Sequence, residues 1–145
     1  MHLIIFDVVP ALLTWDHPAD IPEPVPSAAE VLDRLFPNFR RIAVTGGGRT
    51  ARILRRHRED TGLAEFFDGV ATNSAYGPEL SPRVVLRIAR TAGAGLGQAA
   101  VVTGREDTAT TLRKAGLPVV FVSGTEGLEV LPEALDSLRS GRFSP

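Results

Sequence analysis

A carboxylate, Asp7, closes the first apolar run of the sequence, LIIFD. A buried strand that ends on an acid brings that acid to the edge of a sheet, where it meets solvent. In open α/β sheets, ligands bind at the carboxyl ends of the strands, near the point where strand order reverses. Asp7 is therefore either a reactive carboxylate of a ligand site or a strand-end acid with nothing beside it to make it react.

A second stretch with chemical potential is RIAVTGGGRT, in which Thr45 and three glycines follow an apolar run. Glycines at a junction between a strand and a helix expose backbone N–H groups at the positive end of the helix, which favours phosphate. Gly46, Gly47 and Arg49 are the predicted phosphate-binding residues. The stretch is not a P-loop, because no Gly-Lys-Ser/Thr follows, and it lacks the third glycine of a dinucleotide fingerprint.

The arginines after these glycines leave two interpretations open. Positions 49, 52, 55, 56 and 58 cover more than one face of a predicted helix and are balanced by Glu59 and Asp60, which is typical of a solvated surface. Binding of an anionic partner, or of the phosphate of a ligand near Thr45, is the other interpretation. A nucleotide-binding domain of the Rossmann type, using residues 45–48, is a further alternative.

The elements that position these residues are read from the hydrophobic pattern. Short apolar runs, as expected for strands buried on both faces, alternate with amphipathic segments that predict helices. The runs cover residues 2–6, 41–44, 69–72, 99–103 and 118–122, and the helical segments are SAAEVLDRLF, RTARILRRHREDTG, PRVVLRIARTAG, EDTATTLRKAG and LPEALDSLRSG. This alternation predicts an α/β domain, a doubly wound three-layer sandwich around a five-stranded parallel sheet.

One segment breaks the alternation. Residues 8–26 contain five prolines and no convincing period, and they predict an ordered loop over the strand ends. Asp16, His17 and Asp20 in this loop imitate a metal cluster, but no strand frames them and chance proximity explains them. Trp15 is expected to anchor the loop on the core. We therefore expect one domain over residues 1–145, with this loop in place of a cap.

Composition excludes several classes of protein. The 145-residue chain has a formal net charge of -1, which offers no bulk attraction to nucleic acid or to an anionic membrane. It contains no cysteine, so disulfides, thiolate metal sites and cysteine nucleophiles are absent. No apolar run approaches the length of a membrane span, and the first residues do not have the pattern of a signal peptide. A cytoplasmic protein is expected.

Four stretches of the chain resemble the haloacid dehalogenase-like (HAD) hydrolase superfamily. Asp7 at the end of its strand resembles the first motif of the family, and RIAVTGGG resembles the second. FFDGVATNSAYGPELSPRVVLRIARTAG is similar to the stretch that runs into the third motif, and AAVVTGREDTATTLRKAGLPVVFV to the fourth-motif region. The resemblance covers most of the chain and implies a Rossmannoid, HAD-like fold in a small member without a cap.

The resemblance implies roles for four of these residues. In the family the first aspartate attacks phosphorus and forms an aspartyl-phosphate, while a Ser or Thr of the second motif hydrogen-bonds the phosphoryl group. Asp7 and Thr45 are therefore the implied catalytic residues. Mg²⁺ is held in the family by the first aspartate and fourth-motif acids, which implies Asp7 and a displaced Asp107 as metal ligands here. Ser81 is the implied substrate- or phosphate-binding residue of the third motif.

Two motifs depart from the family pattern by losing a residue that transfers or screens charge. Val9 stands where most phosphatases of the family place a second aspartate, and valine cannot transfer a proton. Ser81 precedes Pro82 where the family commonly has a lysine. All but one of the 16 basic residues are arginines, and the exception, Lys114, lies late in the fourth-motif helix, so it cannot fill that role.

The fourth motif also departs from the pattern. The strand ends on Thr-Gly-Arg at 103–105, and the acids follow only at Glu106 and Asp107. Both acids are expected in the first turn of the next helix, where the helix dipole favours negative charge. Whether Arg83, Glu106 or Asp107 replaces a missing motif residue is left open by the sequence.

Two functions remain at this stage. The first is a catalytically impaired phosphatase-like domain, a pseudoenzyme that keeps Asp7 and binds a small phosphorylated molecule or regulates a protein partner. The alternative is a weakly active Mg²⁺-dependent phosphohydrolase that uses Asp7. Family members without a cap leave the site open to large substrates or cover it by oligomerising, so a homodimer is a further expectation.

Overall fold

The structure is a computed structural model, and it describes residues 3–7, 13–14, 23–24, 28–35, 39–45, 68–72, 80–95, 98–122 and 124–139. The strands are β1 Leu3–Asp7, β2 Leu13–Thr14, β3 Glu23–Pro24, β4 Arg40–Thr45, β5 Gly69–Thr72, β6 Ala99–Thr103 and β7 Val119–Phe121. The helices are α1 Ala28–Leu35, α2 Pro82–Thr91, α3 Glu106–Lys114, α4 Gly124–Glu129 and α5 Leu131–Arg139. None of these helices combines the length and the apolarity needed to cross a membrane.

The main sheet has the strand order β5-β4-β1-β6-β7, and each pair of neighbours in it is parallel. The predicted α/β class and parallel sheet are confirmed. From the central strand β1 the chain moves to β4 and β5 on one side, and it then returns to β6 and β7 on the other. The strand order therefore reverses between β1 and β6, which is where a ligand site is expected in such a sheet.

Two apolar cores cover the two faces of this sheet. Ile4 and Phe6 of β1 pack with α1, α4 and α5 on one face, while Leu3 and Ile5 pack with α2 and α3 on the other. All four side chains are almost completely buried. Because successive residues of a strand point to opposite faces, a strand covered on both sides is apolar throughout. The run LIIF thus places Asp7 at the end of the central strand of the sheet.

The ends of α2 follow the signals seen in the sequence. The hydroxyl of Ser81 caps the helix by accepting a hydrogen bond from the Val84 N–H, and Pro82 occupies the first turn, where it removes no helical hydrogen bond. Beyond the last turn, Gly93 has φ 76°, a left-handed conformation that glycine adopts without strain. The helix predicted from PRVVLRIARTAG is confirmed.

Two elements differ from the expectation. Within the predicted loop at 8–26, Leu13–Thr14 and Glu23–Pro24 form a short antiparallel pair, so this stretch is not entirely irregular. Helix α4 precedes α5 and was not predicted, because GTEGLE contains two glycines and no helical period. A Cβ added to Gly127 would lie 3.1 Å from Val122 Cα, so glycine lets α4 approach the residue after β7 closely. The helix predicted from RTARILRRHREDTG lies outside the described residues.

Candidate functional site at the carboxyl edge of the sheet

Asp7 and Thr103 meet where β1 and β6 end. Phe6 is level with Val102 in the parallel register, so the next residue of each strand reaches the carboxyl edge together. The buried hydroxyl of Thr103 donates a hydrogen bond of 2.9 Å to Asp7 Oδ2. The hydroxyl oxygen of Thr103 in turn accepts a hydrogen bond of 3.1 Å from the backbone N–H of Arg105. One hydroxyl therefore connects the end of β1 to the start of α3, across the point where strand order reverses.

Burial is the main influence on the charge of Asp7. Withdrawal from water raises the pKa of its carboxyl above the usual value of 3.8, because the charged form loses hydration. The hydrogen bond from Thr103 and the positive charge of Arg105 act in the opposite direction, and the negative charge of Asp107 adds to the rise. The pKa of Asp7 is raised overall, so the fold holds this carboxylate at a cost. Such groups cluster at functional sites.

Glu106 and Asp107 lie in the first turn of α3, as predicted, and both are exposed. Asp107 Oδ1 accepts a hydrogen bond of 2.9 Å from the Thr108 N–H. The two acids line an open depression together with Thr110 and Thr111. The influence of Asp107 on the pKa of Asp7 means that the two carboxylates are near enough to repel one another. Their joint action as metal ligands stays a prediction.

The described residues do not fit a Mg²⁺ site by themselves. They include no group of three or more His, Cys, Asp or Glu side chains placed to hold a metal ion. Mg²⁺ prefers several oxygen ligands in near-octahedral geometry. Here Asp7 has one oxygen engaged by Thr103, Asp107 has one engaged by its own helix, and a cation, Arg105, lies beside them. Among the described residues, positive charge near Asp7 thus comes from Arg105.

Thr45 is the last residue of β4, the other neighbour of β1. Asp7 is level with Val44, so the backbone of Thr45 lies one residue beyond Asp7 at the same edge of the sheet. This is where the sequence placed it. Gly46, Gly47 and Arg49 lie outside the described residues, as does Val9, and their predicted roles stay predictions.

Ser81 is at the amino end of α2 and is partly buried. Its Oγ lies 3.3 Å from the Val84 nitrogen and accepts the N–H of that residue. The observed role of Ser81 is thus that of a helix cap, and its part in phosphate binding stays a prediction. Arg83, which follows in the first turn of α2, is exposed.

Two features of this edge were not predicted: the hydrogen bond from Thr103, itself a candidate residue at a strand end, to Asp7, and the place of Arg105. The sequence offered one signal for each. Thr103 is the polar end of the apolar run AAVVT, at the same relative place as Asp7 in LIIFD, and Arg105 comes two residues later. Which two strand ends are neighbours depends on strand order, and the order is a property of the whole sheet.

Comparisons with known proteins bear on the fold. No model of a protein family matches the sequence, and no curated relative matches it. Among solved structures, a HAD-superfamily hydrolase of subfamily IA from Geobacter sulfurreducens is similar over 93% of this chain and 96% of its own, at 15% identity and a TM-score of 0.71. A haloacid dehalogenase-like hydrolase from Streptococcus pneumoniae is similar over 97% of this chain and 98% of its own, at 12% identity and a TM-score of 0.66.

A third similar structure is the L-2-haloacid dehalogenase of Xanthobacter autotrophicus with chloropropionic acid covalently bound. The likeness covers 86% of this chain and 49% of the dehalogenase, at 22% identity and a TM-score of 0.60. This chain thus spans about half the length of that enzyme, whereas it spans nearly all of the two hydrolases described above. At these identities the likeness shows the fold: the chain has the fold of HAD-like hydrolases.

Proposed function

We propose that this chain, which has the HAD-like fold, is an anion-binding domain that keeps the nucleophile position of the fold and has lost the groups needed for rapid phosphoester hydrolysis. Its ligand is a small phosphorylated molecule or a phosphorylated segment of a protein partner. The site is the carboxyl edge around Asp7, Thr45 and Thr103, where strand order reverses. In this proposal the protein acts by binding, as a regulatory domain acts, and turnover is slow or absent.

The observation that carries the proposal is the environment of Asp7. Its described partners are a hydroxyl and a guanidinium charge, from Thr103 and Arg105. A general acid that could protonate a leaving group is absent from the position of Val9 in the sequence, and proton transfer contributes about 10²- to 10⁴-fold to such reactions. The carboxylate is thus held in place, without the second acid that hydrolysis by this route needs.

A weakly active phosphohydrolase is the second candidate function. Asp7 is only partly buried, at the strand end where nucleophiles of this fold stand, and Thr45 lies on the neighbouring strand. These two placements are what the alternative requires. It also requires a group that activates water, and the described residues around Asp7 offer only the exposed acids Glu106 and Asp107 for that purpose.

Hydrolysis assays separate the two candidates. Purified protein is incubated with p-nitrophenyl phosphate and a broad panel of phosphate esters, with and without Mg²⁺, beside Asp7→Asn as the control that removes the nucleophile. We expect no turnover that depends on Asp7, because no second acid supplies the proton. Hydrolysis that needs Mg²⁺ and disappears in Asp7→Asn would establish the phosphohydrolase instead.

Trapping with beryllium fluoride gives an independent test. This reagent forms a mimic of aspartyl-phosphate where an activated aspartate and Mg²⁺ are present together. We expect no adduct on Asp7, read by ¹⁹F NMR and by mass spectrometry under native conditions. A stable adduct that is lost in Asp7→Asn contradicts the proposal.

A further inference from the structure

Arg105 occupies a defined place beside Asp7. It is the residue before α3, it is partly buried, and its backbone N–H donates to the Thr103 hydroxyl that in turn donates to Asp7 Oδ2. The two hydrogen bonds, of 3.1 and 2.9 Å, hold the backbone of Arg105 at the carboxyl edge. The start of its side chain is therefore positioned by the same hydroxyl that positions the carboxylate.

The guanidinium of Arg105 forms no ion pair with the described part of the chain. The ion pair found there joins Arg34 to Glu133, on α1 and α5. The side chain of Arg105 does not cap α3 either. Its positive charge nevertheless acts on Asp7, where it favours the ionised carboxylate. A partly buried arginine with no ion pair to the described acids is open to an external anion.

A divalent cation bound at Asp7 would be repelled by the positive charge of Arg105. Two positive charges repel one another strongly at short range in a partly buried site, and among the described residues no three acidic or histidine side chains are placed to hold a metal ion together. A guanidinium also binds phosphate differently from Mg²⁺, because its planar fork of N–H donors meets two oxygens at once. It supplies charge and direction without needing several oxygen ligands from the protein.

We propose that Arg105 is the built-in cation of this site: its guanidinium offsets the charge of Asp7 and binds a tetrahedral oxyanion, such as a phosphoryl group, without a divalent metal. This inference rests on the proposed function, since it names the residue and the ligand class through which the carboxyl edge binds. It assigns to one arginine the neutralising role that Mg²⁺ would otherwise have, since the described acids are too few to hold that ion. Metal-independent binding is its distinctive consequence.

Calorimetric titration with inorganic phosphate tests this assignment. The full chain is titrated in EDTA and again in excess Mg²⁺, and the same is done for Arg105→Gln and Arg105→Lys. We expect equal affinity in the two buffers for the wild-type chain. We expect the affinity for phosphate to fall about tenfold or more in Arg105→Gln, the loss typical of a charged hydrogen bond. We expect a smaller fall in Arg105→Lys, which keeps the charge.

Arg113→Gln is the matched control, because Arg113 is an exposed arginine in the last turn of the same helix. It removes the same charge from α3 and is expected to leave phosphate affinity unchanged. Equal weakening by both substitutions would overturn the assignment, since it would show an effect of net charge alone. Unchanged binding in Arg105→Gln would overturn it as well.

A gain of metal binding supplies the converse test. Arg105→Asp places a carboxylate between Asp7 and Asp107, so we expect Mg²⁺ to raise the unfolding midpoint of this variant and to leave that of the wild-type chain unchanged. Stabilisation of the wild-type chain by Mg²⁺ that is lost in Asp7→Asn, or phosphate binding that requires Mg²⁺, overturns the role of Arg105 and leaves anion binding at this edge intact. Failure of the wild-type chain to bind phosphate in either buffer overturns the proposed function together with this inference.

Discussion

Each end of the strands in the main sheet withdraws a charged side chain from water, and the contacts of the two side chains differ. At the amino edge, Arg41 of β4 is 5% exposed. Its Nη1 donates to the Leu32 carbonyl of α1 at 3.1 Å, and its backbone N–H donates to Asp68 Oδ2 at 2.8 Å. These contacts join β4 to α1 and to the residue that begins the approach to β5. The charge of Arg41 serves the fold.

At the carboxyl edge the charged group is a carboxylate. Asp7 keeps one hydrogen bond from Thr103, and burial still raises the pKa of its carboxyl. Arg105 lies beside it with no ion pair among the described residues. A fold under no other demand would place apolar or neutral residues here, because burying a carboxylate costs free energy. The arginine at the amino edge thus joins elements of the fold, while the carboxyl edge holds a carboxylate at a cost in free energy.

Removing Arg41 should produce the largest effect. Arg41→Ala deletes a buried side-chain stem and leaves the Leu32 carbonyl without this donor, so we expect the free energy of unfolding to fall by about 2–4 kcal/mol. Urea denaturation measures the loss. Arg34→Ala is the control, since Arg34 pairs with Glu133 on the surface, and exposed pairs contribute about 0–1 kcal/mol. Similar small losses in both variants would remove the contrast between a buried and a surface arginine.

Changing Thr103 should have an intermediate effect. Thr103→Val keeps the shape of the side chain but removes the donor to Asp7 and the acceptor for Arg105, which we expect to cost about 1–3 kcal/mol. The pKa of Asp7, followed by NMR of its side-chain carbonyl, should rise further because the ionised form loses a hydrogen bond. Thr103→Ser restores the hydroxyl and should restore that pKa. If Thr103→Val leaves the pKa unchanged, the hydrogen bond does not govern Asp7.

The smallest effect, of opposite sign, is expected at Asp7. A raised pKa in the fold means that the folded chain holds this proton more tightly than the unfolded chain. The stabilisation is therefore complete below pH 3.8, the usual pKa, and is lost as pH rises through the higher pKa of the folded state. The amide of Asp7→Asn does not ionise, so this variant does not lose stability as pH rises, and its side chain can still accept the hydrogen bond from Thr103. It should therefore unfold at a higher temperature than the wild-type chain at pH 7.

The same comparison of Asp7→Asn with the wild-type chain is then repeated in acid. The difference in unfolding temperature should shrink towards pH 3.8 and below, because the wild-type carboxyl is then protonated in both states. A variant that is less stable than the wild-type chain at pH 7 would show instead that ionised Asp7 contributes net stability, and the contrast between the two edges would disappear.

Much of the fold was predictable because it depends on local pattern. The run LIIFD predicts β1 because a strand buried on both faces must be apolar at every position, and the helical pattern of PRVVLRIARTAG predicts α2. Helix α4 was missed because its six residues, GTEGLE, form a helix only when they pack against the sheet. Gly127 shows the reason: it lowers helix propensity, yet it permits the close approach to Val122.

The candidate site was predictable in part. The sequence placed Asp7 and Thr45 at strand ends, and both are at the carboxyl edge of adjacent strands. It did not pair Asp7 with Thr103, which is 96 residues away along the chain. It interpreted Ser81 through a motif, whereas the structure shows a helix cap. Local chemistry identifies the residues that can react, but it does not say which of them will be neighbours.

The sequence by itself determined the strands of the main sheet, their order along the chain, and the residue type at each strand end, because these follow from hydrophobic period and turn residues. Only the tertiary structure decided that the order β5-β4-β1-β6-β7 brings β6 beside β1 and closes the hydrogen bond between Thr103 and Asp7. The physical reason is that strand pairing and burial are collective. The pKa of a carboxyl depends on the whole set of atoms around it, and that set exists only after the sheet has formed.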